Sequence, residues 1–163
     1  HLRPYPVAII STEIMDQNFN ARFSAKLRWY EYKVVNRRPP LTLDKNRVWC
    51  VHKNIDIDKI KNQSKLFLGK HDLQAFRSVN CQSKSSIKSI NSIEIKNNEE
   101  EIRFIISAKS FLHSQVRIMV GTLVDIGLDK NPRSISEIIL SKKRDMAGVT
   151  APPYGLYLTK IDY

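Results

Sequence analysis

Two tyrosines, Tyr30 and Tyr32, could together form a surface on which an RNA base stacks. They alternate with polar residues in a stretch typical of a β-strand, so both side chains point to the same face. An enzyme that acts on a base within folded RNA has to expose the base, stack it and hold the neighbouring phosphates. The nearby basic residues are candidate phosphate contacts: Arg22, Lys26, Arg28 and Lys33. The alternative is that both tyrosines are core residues with wetted hydroxyls.

Arg117 has unusual surroundings for a charged residue. Apolar residues recur around it at helical spacing: Leu112, Val116, Met119, Val120 and Leu123. A guanidinium among core-facing residues needs an anionic partner, because burying it unpaired is costly. His113 lies one turn earlier and is a candidate RNA contact, while Gly121, one turn later, would let a ligand or another backbone come close. The alternatives are a surface arginine at the edge of the stripe and a structural histidine.

The segment 151–157, APPYGLY, is predicted to form a rigid turn that leads directly into a strand. Its two prolines restrict the approach of the chain, and its glycine leaves one position free. Leu156 then projects at the mouth of the turn. As loop chemistry alone, this pattern is not specific to any function.

Several reactive arrangements are missing from the sequence. It contains no recognisable Ser-His-Asp or Cys-His set, glycine-rich phosphate loop or paired inward carboxylates. Its only cysteines, Cys50 and Cys81, lack the spacing of a zinc site and are expected to be reduced thiols. We therefore expect no metal, and the residues alone predict part of an RNA site without an obvious reactive group.

Strands and helices that could position these residues are predicted along the whole chain. Strands are predicted at 7–14, 28–36, 48–52, 87–95, 102–108 and 156–162, and helices at 56–68, 110–126 and 134–140. The strands come in adjacent runs rather than in strict strand–helix alternation. This order favours an α+β fold with an antiparallel sheet and helices packed on one face.

Charge points to a polyanionic partner. The chain has 163 residues and a formal charge of +11. Between Gln17 and Ile55 nine basic residues face only two acids, Glu31 and Asp44, and such an excess attracts nucleic acid through counterion release. The alternative is a surface that is basic only for solubility. No apolar run approaches the roughly 20 residues of a spanning helix, so we expect a cytoplasmic protein without membrane attachment.

The amino terminus suggests a piece of a longer protein. The chain begins at His1 without a methionine and runs directly into an apolar, strand-like stretch. We interpret residues 1–17 as the tail of a preceding domain and 18–163 as one carboxy-terminal domain. A trimmed end is the alternative explanation.

Six sequence blocks resemble the bacterial tRNA pseudouridine synthase A family in order and spacing. They are NARFSAK at 20–26, YEY at 30–32, GKHDLQAFRS at 69–78, CQSKS at 81–85, FLHSQVR at 111–117 and APPYGLYL at 151–158. The resemblance covers the chain from end to end. It implies the fold of the family's second domain and an activity that isomerises uridine to pseudouridine in the anticodon stem-loop, at tRNA positions 38, 39 and 40.

The resemblance also implies roles for individual residues. Tyr30 matches the tyrosine that packs on the target base, Arg117 the arginine that pairs with the catalytic aspartate, and Leu156 the leucine that lines the pocket. That aspartate lies in an Arg-Thr-Asp-Ala-Gly motif of the family's first domain, which is absent from these residues. The family works without metal or organic cofactor, as a homodimer that binds tRNA.

Two departures from the family pattern concern the same blocks. Asn20 stands where many relatives have histidine, and the chain has Ser114 and Ile118 where relatives often have a second histidine and an asparagine. Arg117 is unaffected, and the piece alone is expected to be inactive because it lacks the aspartate. The alternative function is a noncatalytic RNA-binding module of ribosome or assembly-factor type.

Overall fold

The computed structural model describes residues 3–163. Its main element is one mixed sheet. Its strands are β1 (Leu27–Asn36), β2 (Trp49–Val51), β3 (Gly69–Asp72), β4 (Ile87–Asn98), β5 (Glu101–Ala108) and β6 (Leu156–Asp162). The strand order is β2-β1-β5-β4-β3, and β6 also pairs with β1. All pairings are antiparallel except the short one between β1 and β2. Three helices complete the fold: α1 (Ile57–Ser64), α2 (Gln115–Gly127) and α3 (Ile135–Ser141).

Strand β1 is central because it pairs with three other strands, and its side chains face alternate sides of the sheet. Tyr32 and Val34 are fully buried, whereas the alternate residues Glu31 and Lys33 keep partial contact with solvent. On one long edge β1 pairs with β5, and on the other it pairs with β6 and then with β2. The buried face of the sheet carries the core, which confirms the predicted α+β fold with an antiparallel sheet.

Helix α2 is the core helix, and nearly all its residues are buried. It begins at Gln115, later than the predicted start at 110. Ser114 has a φ of 60°, in the left-handed region that interrupts a helix. The Gln115 side chain accepts a hydrogen bond from the Leu112 N–H at 2.7 Å, which stabilises the loop before the helix. His113 therefore lies in this loop, and its predicted place one helical turn before Arg117 is wrong.

The predicted starts of the other two helices are confirmed, and a side chain caps each of them. The Asp56 carboxylate accepts the Lys59 N–H at 2.9 Å at the start of α1. At α3, Ser134 and Glu137 form a reciprocal capping box. The predicted helix 56–68 is shorter than expected, because a 3-10 turn at Lys65–Phe67 follows α1.

Two strand predictions need correction. Residues 7–14 form no strand, since they are exposed and pair with no neighbour in the part of the chain that is described. Their β-branched composition favours a strand, but a strand also requires a partner. Conversely, β3 was not predicted because its sequence, GKHD, has little β propensity, and pairing with β4 stabilises it. The proposed boundary near residue 17 stays a prediction.

Over residues 3–163, no helix has the length and apolar character needed to cross a bilayer.

Candidate functional site

A basic and aromatic cleft of about 950 Å³ opens beside β1. Three chain segments, within 22–30, 80–83 and 109–114, line it together with Lys88. Four of the predicted site residues lie here: Arg22, Arg28, Tyr30 and His113. The other candidates, Lys26, Lys33, Arg117 and Leu156, are not among its lining residues. The fold thus brings predicted RNA contacts from two separate parts of the chain into one cleft.

Tyr30 is half-buried and lines this cleft. Its ring meets the Phe111 ring edge-on, with centroids 5.3 Å apart and planes at 86°. Such a packing arrangement holds an aromatic ring in place while leaving part of it accessible. Tyr32, two residues along on the same face, is fully buried instead. The core interpretation therefore holds for Tyr32, and only Tyr30 remains a candidate for base stacking.

Arg22, Phe23 and Arg28 shape the rim of the cleft. The Arg22 guanidinium lies 5.4 Å from the centroid of the Phe23 ring, which is 77% exposed. The Arg28 guanidinium donates hydrogen bonds to the carbonyl oxygens of Arg22 and Lys109. Arg28 thus ties together two segments that line the cleft while adding its positive charge there. Lys26 is exposed outside the cleft, and its backbone N–H donates to the Asp162 carbonyl at 2.8 Å.

Arg77 and Cys81 hold the lining segment 80–83 in place. The Arg77 side chain donates to the carbonyls of Cys81 and Ser83, both at 2.8 Å. The buried Cys81 thiol accepts the His113 N–H at 3.4 Å. Burial alone would raise the pKa of the Cys81 thiol, but hydrogen bonds from His113, Ser83 and Arg77 outweigh it and lower this pKa below its ordinary value.

Arg117, in the first turn of α2, is held by the loop that precedes β6. Its Nε donates to the Ala151 carbonyl oxygen at 2.7 Å, and the Ala151 N–H donates back to the Arg117 carbonyl at 3.1 Å. The guanidinium forms no ion pair with any residue of the described range. The anionic partner expected from the sequence is therefore not supplied by residues 3–163, and a backbone carbonyl holds the side chain.

Gly121 allows another segment of backbone to lie close to α2. A Cβ atom built on it would lie 1.9 Å from the Val149 carbonyl oxygen, far inside van der Waals contact. Another backbone therefore passes directly over this residue, as one of the two alternatives from the sequence predicted. This approach places residues 149–151 against α2 beside Arg117.

Leu156 and Tyr32 connect this loop to the sheet. Leu156 is half-buried and is the register partner of Tyr32 in the pairing of β6 with β1. The Tyr32 hydroxyl donates to the Pro152 carbonyl at 2.7 Å. Burial raises the pKa of this hydroxyl well above its ordinary value, with Tyr154 adding to the rise and the positive charge of Arg117 opposing it. Arg117 and Tyr32 thus bind the carbonyls of two adjacent residues, Ala151 and Pro152, and Leu156 pairs with Tyr32.

Removing the Tyr32 hydroxyl is expected to reduce stability in a pH-dependent way. In Tyr32→Phe the Pro152 carbonyl loses its donor, which we expect to cost about 1–2 kcal/mol near neutral pH. Because burial raises the folded-state pKa, the wild type loses stability as pH rises above about 10, where the unfolded chain ionises first. The difference in free energy of unfolding between wild type and Tyr32→Phe should therefore shrink by about 1.4 kcal/mol per pH unit above about pH 10.

Urea unfolding at pH 8 and at pH 11 measures this difference. The control is Tyr5→Phe at an exposed tyrosine. It should leave the free energy of unfolding unchanged at both pH values. A difference between wild type and Tyr32→Phe that stays constant with pH would contradict the assignment of the buried hydroxyl.

Sequence reasoning did not single out several residues of the cleft. Phe111 packs on Tyr30, and Lys88 and Lys109 add positive charge to the lining. Phe111 belongs to the block at 111–117, so its neighbourhood was visible in the sequence. Lys88 and Lys109 lie on β4 and just after β5, and no local pattern distinguishes them from other surface lysines.

No group of three or more histidine, cysteine or acidic side chains that could bind a metal ion occurs within the described residues. The arrangement can hold a polyanion and stack a base, and it presents a fixed guanidinium.

Comparison with known proteins identifies the family. A family model described as tRNA pseudouridine synthase matches residues 64–163. The tRNA pseudouridine synthase A of Wolbachia pipientis wMel is 49% identical over 164 residues, which cover 100% of this chain and 67% of that protein. The enzymes of the same name from Ehrlichia chaffeensis and Parvibaculum lavamentivorans are 49% and 44% identical with the same coverage. The chain therefore belongs to the tRNA pseudouridine synthase A family.

Proposed function

We propose that this chain holds tRNA and supplies part of the active site of an enzyme that isomerises uridine to pseudouridine in the anticodon stem-loop, at tRNA positions 38, 39 and 40. The observation that supports this most directly is the state of Arg117. Its Nε is bound to Ala151, and its terminal nitrogens have no hydrogen-bond partner within residues 3–163. A guanidinium held in this way can bind one carboxylate with both terminal nitrogens.

The catalytic carboxylate of the proposed enzyme comes from outside these residues. An aspartate paired with Arg117 would stay ionised, because the adjacent positive charge lowers its pKa. The reaction breaks the bond between the ribose and N1 of uracil and forms one to C5, so that C5 loses a proton and N1 gains one. In this scheme Arg117 orients the aspartate, and Leu156 helps to exclude water from the reacting base.

The cleft beside β1 is the proposed binding site for the RNA. A base extruded from the stem-loop would stack on the accessible part of Tyr30. Arg22, Lys88 and Lys109 bring positive charge to the cleft lining, where phosphates would bind. His113 is exposed at the same cleft and is proposed as a further RNA contact. Lys26 lies outside the lining, so its proposed contact would be to a more distant phosphate.

The resemblance to the family supports four further parts of this proposal. The enzyme would be a homodimer that works in the cytoplasm, where its tRNA substrate is found. It would need neither a metal nor an organic cofactor. Residues 1–17 would belong to the end of a preceding domain and 18–163 to the second domain.

Tritium release from tRNA that carries 5-tritiated uridine tests this proposal, because forming pseudouridine frees the hydrogen at C5. The chain alone is expected to bind tRNA but release no tritium, since it has no Arg-Thr-Asp motif. The extended enzyme, in which a first domain carrying this motif precedes the chain, is expected to be active. Transcripts with single uridine changes in the anticodon stem-loop then identify the modified positions.

Two outcomes of this assay would contradict the proposal. Tritium release by the isolated chain would refute an aspartate supplied from outside. An extended enzyme that binds tRNA without releasing tritium would favour the alternative, a noncatalytic RNA-binding module.

A further inference from the structure

Helix α2 and the segment 147–152 lie side by side, and hydrogen bonds from α2 fix this segment at several points. Arg117 is one of these contacts, at the end of α2 nearest the cleft. Two polar residues farther along the helix, Thr122 and Asp125, provide the others. Neither residue belongs to a sequence block discussed above, and neither lines the cleft.

Thr122 is completely buried and uses its hydroxyl twice. The hydroxyl donates to the Ile118 carbonyl within the helix at 2.7 Å. It also accepts the Gly148 N–H at 2.9 Å. A side chain with both of its bonds made to backbone groups has little freedom to move, so it sets the position of Gly148.

Asp125 fixes the next residue of the segment. Its Oδ2 accepts the Val149 N–H at 3.0 Å, and the residue is only 8% exposed. There is no spare room at this contact, because a Cβ on Gly148 would lie 2.5 Å from the same Oδ2. The Val149 carbonyl in turn lies against Gly121. Residues 148 and 149 are therefore held against α2 by hydrogen bonds and by direct contact of the two backbones.

Ala151 follows two residues later, and its carbonyl is the acceptor for Arg117. A guanidinium is planar, with five N–H donors in a rigid fork. Once its Nε–H is bound to a carbonyl at a fixed position, the direction of both terminal nitrogens is determined as well. By holding residues 148 and 149, Thr122 and Asp125 thus fix the position of the Ala151 carbonyl, which in turn orients the Arg117 guanidinium.

We propose that Thr122 and Asp125 are positioning residues that orient the Arg117 guanidinium through the Ala151 carbonyl. The consequence for turnover rests on the function proposed above, in which Arg117 orients the catalytic carboxylate. The orientation itself concerns only residues of this chain and can be measured without any reaction.

Hydrogen exchange of the Arg117 Nε–H, followed by nitrogen-15 NMR on the chain alone, tests the orientation. The signal is assigned by its loss in Arg117→Lys. In Thr122→Val and in Asp125→Ala we expect this proton to exchange at least about tenfold faster, as a locally opened hydrogen bond does. Thr122→Ser and Asp125→Asn retain an oxygen acceptor and should restore slow exchange. Unchanged exchange in both Thr122→Val and Asp125→Ala would overturn the proposal.

The control is Ile138→Val, which trims a buried residue on α3. Ile138→Val is compared with Thr122→Val and Asp125→Ala under conditions where all three have lost the same thermal stability. Under these conditions it should leave the exchange of the Arg117 Nε–H unchanged. Faster exchange in Ile138→Val would overturn the proposal too, because general loosening would then explain the effect.

The extended enzyme connects the orientation to turnover. A misplaced guanidinium should lower kcat about tenfold to a hundredfold in Thr122→Val, with KM within about twofold. Thr122→Ser should keep kcat close to wild type. If kcat in Thr122→Val is unchanged while Arg117→Ala is inactive, the positioning role fails and the proposed function stands. If Arg117→Ala itself is active, the proposed function fails, and the exchange result still decides the orientation.

Discussion

Replacing Arg117 by alanine in the extended enzyme is expected to lower turnover by between roughly a hundredfold and several thousandfold. Removing one partner of a buried charged pair costs about 3–5 kcal/mol, and each 1.4 kcal/mol in the barrier is about a factor of ten in rate. The carboxylate left behind would lose the charge that keeps it ionised and the donors that orient it. Initial rates of tritium release under saturating tRNA measure this effect.

Affinity for tRNA should change little in the same variant. Arg117 is not among the residues that line the cleft, so Kd from filter binding should stay within about tenfold, or about 1.4 kcal/mol. Arg117→Lys is the matched control, because it keeps the charge but lacks the fork that can bind Ala151 and a carboxylate together. It should bind tRNA as the wild type does and turn over slowly. Parallel loss of binding and turnover in Arg117→Ala would instead identify a phosphate contact or a structural residue.

Replacing Gly121 by alanine is expected to have the largest effect on stability. The new Cβ would lie 1.9 Å from the Val149 carbonyl oxygen and 2.9 Å from its carbon, and both are backbone atoms that cannot rotate away. We expect a loss of about 3 kcal/mol, near the upper end for an overpacked core, although alanine gains about 1 kcal/mol in helix propensity. For a chain of this size each kcal/mol shifts Tm by roughly 2–4 °C, so thermal unfolding measures the effect directly.

Gly127→Ala is the matched control in the same helix. Its Cβ would meet the methyl groups of Ile60 and Ile55 at 2.7 and 2.8 Å, and side chains can adjust where a backbone cannot. The loss should therefore be smaller, about 1 kcal/mol. Equal losses in the two variants would contradict the idea that close backbone contact at Gly121 is the important feature. Gly121→Ala should also lower turnover in the extended enzyme, because it displaces the segment that holds Arg117.

The correct predictions concern patterns that are complete within a few residues. The alternation around Tyr30 and Tyr32 identified a strand with one buried face, because successive side chains point to opposite sides of any strand. The helix predicted at 134–140 forms as α3, because the capping box of Ser134 and Glu137 at its start involves only local atoms. Helix α2 was recognised from its apolar spacing, but its first residue depended on the left-handed conformation of Ser114.

The wrong or missing predictions concern segments whose structure depends on a neighbour. The apolar stretch 7–14 has the composition of a strand, yet no strand of the described sheet pairs with it. Strand β3 has an unfavourable composition and still forms, because β4 provides a partner along its whole length. Pairing energy is not visible in either segment alone, so propensity predicted the opposite in both cases.

The sequence by itself determined the basic charge, the buried face of β1 and the candidates Tyr30, Arg117 and Leu156, because composition and periodicity are properties of the chain. It also indicated that a ligand or a backbone would pass close to Gly121. Only the tertiary structure decided between these two, and only it showed that Arg117 is bound by Ala151, 34 residues away. The physical reason is that a hydrogen bond depends on distance and angle in space, and residues so far apart in the chain meet only when the whole core has formed.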